Sequence, residues 1–149
     1  MENTSNTHLV IPKSRKTIKM NEFSGREDLV FVDMPDSITV IKKGAFFGCR
    51  NLKKVKLSNG LKTLEASAFM DCYALESIIL PEGLESIGVG AFMKCFKLES
   101  VVIPKSVKYV GDDAFGMCQG LKHIQIPSEA FVSGNAFRES YQHIEVEYY

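Results

Sequence analysis

The chain has 149 residues, 45% of them apolar and 24% charged, which lies within the range of a soluble globular domain. Its 18 Lys and Arg are matched by 18 Asp and Glu, so no overall field steers it toward nucleic acid or an anionic membrane. The charge is uneven all the same: residues 1–74 carry twelve basic against eight acidic side chains and residues 75–149 six against ten, so the halves stand at +4 and −4.

The opening segment, Met1 to His8, has neither the basic start nor the apolar stretch of about 7–15 residues that a secretory signal needs. No apolar run along the chain is long enough to span a bilayer. As written the sequence reads as cytoplasmic, with residues 1–5 a short tail.

From there the sequence repeats. Cys49, Cys72, Cys95 and Cys118 stand 23 residues apart, each preceded at the same distance by Ala-Phe, at Ala45-Phe46, Ala68-Phe69, Ala91-Phe92 and Ala114-Phe115. Repeats of 20–50 residues mark solenoids and related arrays. Units starting at Leu29, Leu52, Leu75, Leu98 and Leu121 carry Pro35, Pro81, Pro104 and Pro127 at their seventh position, with Ser58 the exception. The remaining proline, Pro12, keeps the register and marks a degenerate first copy over 6–28, in which Arg26 stands in place of cysteine and which is expected to cap the stack. Regular copies follow over 29–51, 52–74, 75–97 and 98–120. The copy over 121–143 is irregular, its Ala136-Phe137 coming one residue early, with Ser140 in the cysteine position. Residues 144–149 alternate as a capping strand would, since terminal repeats have a neighbour on one face only.

Within a unit, L-E-S-I-I-L-P over residues 75–81 alternates with the period of a half-buried strand, and the proline stops it by fixing φ and removing a donor. Leu84 and Ile87, with their equivalents Ile38/Ile41, Leu61/Leu64 and Val107/Val110, suit a second short extended segment, followed by a turn at Gly88 and Gly111. The Ala-Phe-x-x-Cys segment has apolar residues at i, i+1 and i+4, which predicts a single helical turn held by its neighbours. Each unit is then one coil, and equivalent side chains stack into continuous ladders about 4.8 Å apart.

The run L-x-x-I-x-I-P-x-x-V-x-x-I-G-x-x-A-F-x-x-C, matched almost position for position by residues 98–118, resembles the BspA-like leucine-rich repeats. The resemblance covers about residues 6–143. It implies a right-handed α/β-type solenoid, β-rich overall, with about six 23-residue coils. It further implies use in protein-protein contact, often in surface or secreted proteins, with no catalytic residues to carry over.

The four cysteines admit several readings: metal ligands, disulfides, a nucleophile or core. Zinc sites use close Cys pairs and spaced His, which this spacing lacks. Stacked equivalents point the same way rather than at each other, which disfavours disulfides. Buried structural thiols fit best. The three histidines, His8, His123 and His143, are too dispersed for a triad, and Asp112-Asp113, Glu82 and Glu85 read as surface groups. No P-loop or dinucleotide-binding glycine pattern occurs. Neither enzyme chemistry nor a cofactor or metal is expected.

Function is sought instead among exposed positions. The third and fifth residues of the first strands form two outward columns: His8, Phe31, Lys54, Ser77, Ser100, His123, and Val10, Asp33, Lys56, Ile79, Val102, Gln125. Phe31, Ile79 and Val102 interrupt this polar face with apolar groups, as a recognition surface would. Residues of a partner-binding face are therefore Phe31, Lys54, Lys56, Ile79, Val102, His123 and Gln125; β-propensity on a solvated strand is the competing explanation. A further column, Phe47, Met70 and Met93 with Tyr73 and Phe96 nearby, is either exposed or tucked between coils. Three functions follow in order: a protein-binding scaffold; head-to-tail self-association of a basic end with an acidic one; and nucleic-acid binding through Lys42, Lys43, Lys53, Lys54, Lys56 and Lys62, ranked last for want of interleaved aromatics.

Overall fold

The computed structural model describes residues 7–140 and 144–149. Each coil contributes two short strands. The first of each pair are β1 (His8–Val10), β3 (Phe31–Asp33), β5 (Lys54–Lys56), β7 (Ser77–Ile78), β9 (Ser100–Val102), β11 (His123–Ile126) and β13 (Glu145–Tyr148). The second are β2 (Thr17–Ile18), β4 (Val40–Ile41), β6 (Thr63–Leu64), β8 (Ser86–Ile87), β10 (Tyr109–Val110) and β12 (Phe131–Val132). Every pairing is parallel and joins equivalent positions of successive coils, Leu9 to Val32 to Val55 to Ile78 for example. The product is a β-solenoid of about six turns.

The second strands make one continuous six-stranded sheet, whereas the first strands divide into β1-β3-β5-β7 and β9-β11-β13. At the end of the strand the amides of Ile11, Met34 and Ile103 donate to the next coil, at Asp33, Lys56 and Gln125, but the equivalent amides of Leu57 and Leu80 make no such bond. The first ladder is therefore interrupted at the coil that carries Ile79.

The predicted helical turns are not there: the described residues contain no helix. Along the arc that holds Ala45, Phe46 and Cys49, alternate amides go to different places. Those of Ala45, Phe47 and Cys49 donate three residues back, to Lys42, Gly44 and Phe46, while those of Gly44, Phe46 and Gly48 donate across to Ala66, Ala68 and Met70 of the next coil. A helix would turn all of them inward along its own axis. Left-handed residues also recur where a helix forbids them: Gly44 (φ 64°) and Gly48 (φ 71°), then Ser67 (55°) and Asp71 (61°), Gly90 (63°) and Lys94 (61°), Asp113 (52°) and Met117 (55°). The spacing i, i+1, i+4 marks which side chains point inward on this arc, a pattern that a helical turn shares.

The core runs unbroken along the axis. Phe23, Phe46, Phe69, Phe92, Phe115 and Phe137 stack with centroids 5.2–5.7 Å apart and planes within 18°. Alternating with this ladder are buried Leu, Ile, Val, Ala and Cys. At Ser58, the one departure from proline, the buried hydroxyl donates to the Ile38 carbonyl at 2.6 Å and accepts from the Gly60 amide at 3.0 Å, so burial there leaves no unmet hydrogen bond. Charged side chains pair across coils on the surface, among them Lys42–Glu65 (3.1 Å), Lys62–Glu85 (3.8 Å) and Arg138–Asp113 (2.8 Å). Such exposed pairs contribute at most about 1 kcal/mol each.

Close coil packing also fixes one glycine. A Cβ on Gly88 would lie 2.6 Å from the Ala66 nitrogen, a backbone atom that cannot step aside. Gly88→Ala is expected to cost about 1–3 kcal/mol through overpacking, read as a lowered melting temperature; an unchanged transition would mean that the coils separate freely at this corner.

Candidate interaction face

The alternation that buries Val32, Val55, Ile78, Val101 and Ile124 turns their neighbours outward, so the two columns read from the sequence do share the outer face of the first strand ladder. Phe31, Lys54, Lys56 and Ile79 line one shallow depression, together with Ser77, Leu57 and Pro81. Val102, His123 and Gln125 line another, with Ser100, Glu145 and Glu147. The seven candidates thus fall into two groups, separated where the ladder is interrupted.

Their surroundings differ. The Phe31 ring is half-buried and packs on His8, centroids 4.5 Å apart. His8, expected to be exposed, is itself half-buried, with Nε2 lacking a hydrogen-bond partner among the described residues. Lys56 pairs with Asp33 at 3.2 Å. On the far group, His123 Nδ1 meets a Glu145 carboxylate oxygen at 2.7 Å and the Gln125 amide donates to Glu147 at 2.6 Å. Between these paired ends, Ile79 is 85% exposed and Val102 53%. Desolvating them requires no ion pair to be broken. Glu145 and Glu147 belong to the same face and were not among the sequence candidates; carrying the short register of the last coil onward from His123 and Gln125 would have found them.

Lys42, Lys56 and Lys62 of the lysine-rich coils are engaged with Glu65, Asp33 and Glu85, whereas Lys43, Lys53 and Lys54 have no ion pair among the described residues. On the arc side, Met70, Met93, Tyr73 and Phe96 are half-buried and Phe47 is 38% exposed. Tyr73 stacks on Phe96 at 4.9 Å, with the Arg50 guanidinium 5.5 Å from the tyrosine ring centre. This column is tucked against the coils rather than presented, except at Phe47.

The cysteines are free thiols, fully buried. Each bonds to a backbone carbonyl 26 residues back: Cys49 Sγ to Phe23 (3.1 Å), Cys72 to Phe46 (3.3 Å), Cys95 to Phe69 (3.3 Å) and Cys118 to Phe92 (3.1 Å). Ser140, in the cysteine position of the last coil, donates to the Phe115 carbonyl in the same way. Burial pushes the Cys49 thiol up to about 11 and that of Cys118 to about 12, and Cys72 and Cys95 lie well above the usual thiol range for the same reason. Thiolates being the reactive form, these side chains are inert. Among the described residues no group of three or more His, Cys, Asp and Glu is placed to hold a metal ion. His143 lies outside the described residues.

The BspA type leucine-rich-repeat region matches residues 16–144, in six copies. The chain belongs to this family. Solved structures agree with the assignment. A leucine-rich-repeat protein of T. pallidum superposes with a TM-score of 0.79 at 32% identity, over 82% of this chain and 60% of that one. One from Bacteroides ovatus gives 0.79 at 25% identity, over 99% and 47%. A leucine-rich cell surface protein of Faecalibacterium prausnitzii gives 0.64 at 26%, over 95% and 31%. This BspA-type chain therefore spans between about a third and three-fifths of the length of these relatives. No curated protein matches it. Among the described residues no helix is long and apolar enough to cross a membrane.

Proposed function

We propose that this BspA-type repeat region is a non-catalytic protein-binding module that recognises its partner with the outer face of the first strand ladder. The observation that carries the reading is Ile79, an aliphatic side chain 85% exposed on a sheet, with Val102 at the equivalent position of the next coil. Apolar anchors ringed by paired polar groups are the usual core of an interface. Phe31, Lys54 and Lys56 would contact the partner on one side and His123 and Gln125 on the other. The F. prausnitzii relative is described as a cell surface protein, which supports a surface setting for this module in place of the cytoplasm. Buried, carbonyl-bonded thiols suit that setting, because they offer no thiolate to an oxidising environment.

The test compares proteins retained by the immobilised chain, by Ile79→Glu/Val102→Glu, and by Val89→Glu, a control that is 48% exposed away from this face. A partner held by the wild type and the control but weakened at least tenfold, about 1.4 kcal/mol, by the double variant supports the face. Equal retention by all three would remove it.

A second reading, self-association, is favoured by the segregation of charge into a basic first half and an acidic second half. Contacts of this kind are heterologous and need not close.

A further inference from the structure

The two depressions on the outer face differ in charge. The one between β5 and β7 has apolar walls from Phe31, Leu57, Ile79 and Pro81, with Lys54 and Lys56 beside them and no acidic side chain in its lining. The one beyond the interruption includes Glu145 and Glu147. The residues of the first hollow come from the second, third and fourth coils, so folded chain flanks it on both sides.

The strand register shows that one of the two lysines is already satisfied and the other is not. Lys56 stands opposite Asp33 and pairs with it at 3.2 Å. Lys54, two residues earlier on the same face, is exposed between Phe31 and Ser77 and has no ion pair among the described residues. Asp33 therefore does at Lys56 what a carboxylate from outside would do at Lys54. Leu57 lines the same hollow, and its amide, which has no hydrogen-bond partner among the described residues, adds a second donor there. An ammonium and an amide next to aliphatic walls suit a carboxylate that has an apolar side chain close by.

Spacing sets how close. Lys54 and Ile79 lie one strand and two residues apart, about 8 Å, which two to three residues of an extended chain span. Nucleic acid fits the hollow less well. The Phe31 ring is covered by His8, centroids 4.5 Å apart, so no open aromatic face is offered to a base, and one unpaired lysine is too little for a phosphate backbone.

We propose that the hollow between β5 and β7 receives an acidic segment of a protein partner, with a carboxylate on Lys54 and a neighbouring aliphatic side chain against Leu57, Ile79 and Pro81. The inference rests on the outer-face reading above and names the chemistry of its partner. The carboxylates of the second depression repel such a segment, which fixes the end of the face it occupies.

Fluorescence anisotropy of labelled, terminally blocked peptides titrated with the full chain tests it. The probes are a short peptide of aspartates with leucine at its centre, the same peptide with lysines in place of the aspartates, and the same with serine in place of the leucine. The wild type is expected to bind the aspartate-leucine peptide with an affinity that falls as salt rises, to bind the serine peptide about tenfold less tightly, and not to bind the lysine peptide. Lys54→Glu is expected to weaken binding of the aspartate-leucine peptide at least about tenfold, because a like charge then faces the carboxylate. Lys108→Glu makes the same change in net charge at an exposed lysine beside β10, on the second ladder, and is expected to leave the affinity within about twofold of wild type. Equal weakening by the two substitutions would reveal charge attraction without a site and overturn the inference. Tighter binding of the lysine peptide would also overturn it, as would tight binding of a labelled single-stranded oligonucleotide that Lys54→Glu abolishes, since the hollow would then serve phosphate. A wild type that ignores the aspartate-leucine peptide in low salt would overturn the acidic partner alone. The outer-face reading falls separately, if Ile79→Glu/Val102→Glu retains its protein as well as the wild type does.

Discussion

Phe69→Ala is expected to lower the free energy of unfolding by about 3–5 kcal/mol, measured by denaturant titration, a large part of the roughly 5–15 kcal/mol that holds an ordinary domain together. The ring is fully buried and stacks on both sides, 5.2 Å from Phe46 and 5.6 Å from Phe92 in nearly parallel planes. Its loss opens a cavity that adjacent coils cannot close, since their spacing is set by the strand ladders on either side. Because each coil buries its apolar face only against its neighbours, the effect is expected on the whole cooperative transition rather than on one coil. Phe137→Ala, at the end of the same ladder with one stacked neighbour and a half-buried ring, is expected to cost clearly less. Equal losses at the two positions would mean that the stack does not transmit its packing along the axis.

Alkaline pH is the second strong lever. The four thiols are neutral in the folded chain and held above their ordinary range by burial, whereas in the unfolded chain they ionise near pH 8.5–9. The folded value being raised, their contribution is fully present below about pH 8.5 and is lost as pH rises, until for Cys49 it ends near 11. One proton per thiol corresponds to about 1.4 kcal/mol per pH unit, so four together make stability fall by roughly 5 kcal/mol per unit above pH 9. Cys95→Ser isolates the effect from tyrosine and lysine titration. Ser140 already makes the equivalent hydrogen bond, to Phe115, so serine at 95 keeps the bond to Phe69 while removing the ionisable group. The slope of stability against pH between 9 and 11 is expected to drop by about a quarter, although the absolute stability at neutral pH also falls because a hydroxyl is buried among apolar groups. An unchanged slope would show that alkaline unfolding has another source.

Much of this architecture was legible in the chain because a repeat reports each position several times. One proline is ambiguous, but Pro12, Pro35, Pro81, Pro104 and Pro127 in one register locate the strand ends, and the alternation around Ile78 and Val101 fixes which face is buried. The arcs were misread as helical because inward-pointing side chains carry no record of where the amides go. The signal that distinguishes them was present in residues tolerant of positive φ: Asn21, Gly44, Gly90 and Asp113 share one register and all adopt it. The interruption between β7 and β9 has no counterpart in the residue pattern, since L-E-S-I-I-L-P and L-E-S-V-V-I-P differ only by one methylene group or less at each changed position. The interaction face could be drawn from periodicity alone, but which members were already engaged, as Lys56 is with Asp33 and His123 with Glu145, needed the register between coils.

The most direct test of recognition by the first strand ladder is amide hydrogen exchange of the chain alone and with the protein it retains. New protection is expected over residues 54–56, 77–79 and 100–102, with the arcs around Phe47 and Met93 and the second sheet unchanged. Protection that appears on the arcs or along β2, β4, β6, β8, β10 and β12, with none on the first strands, would contradict the account.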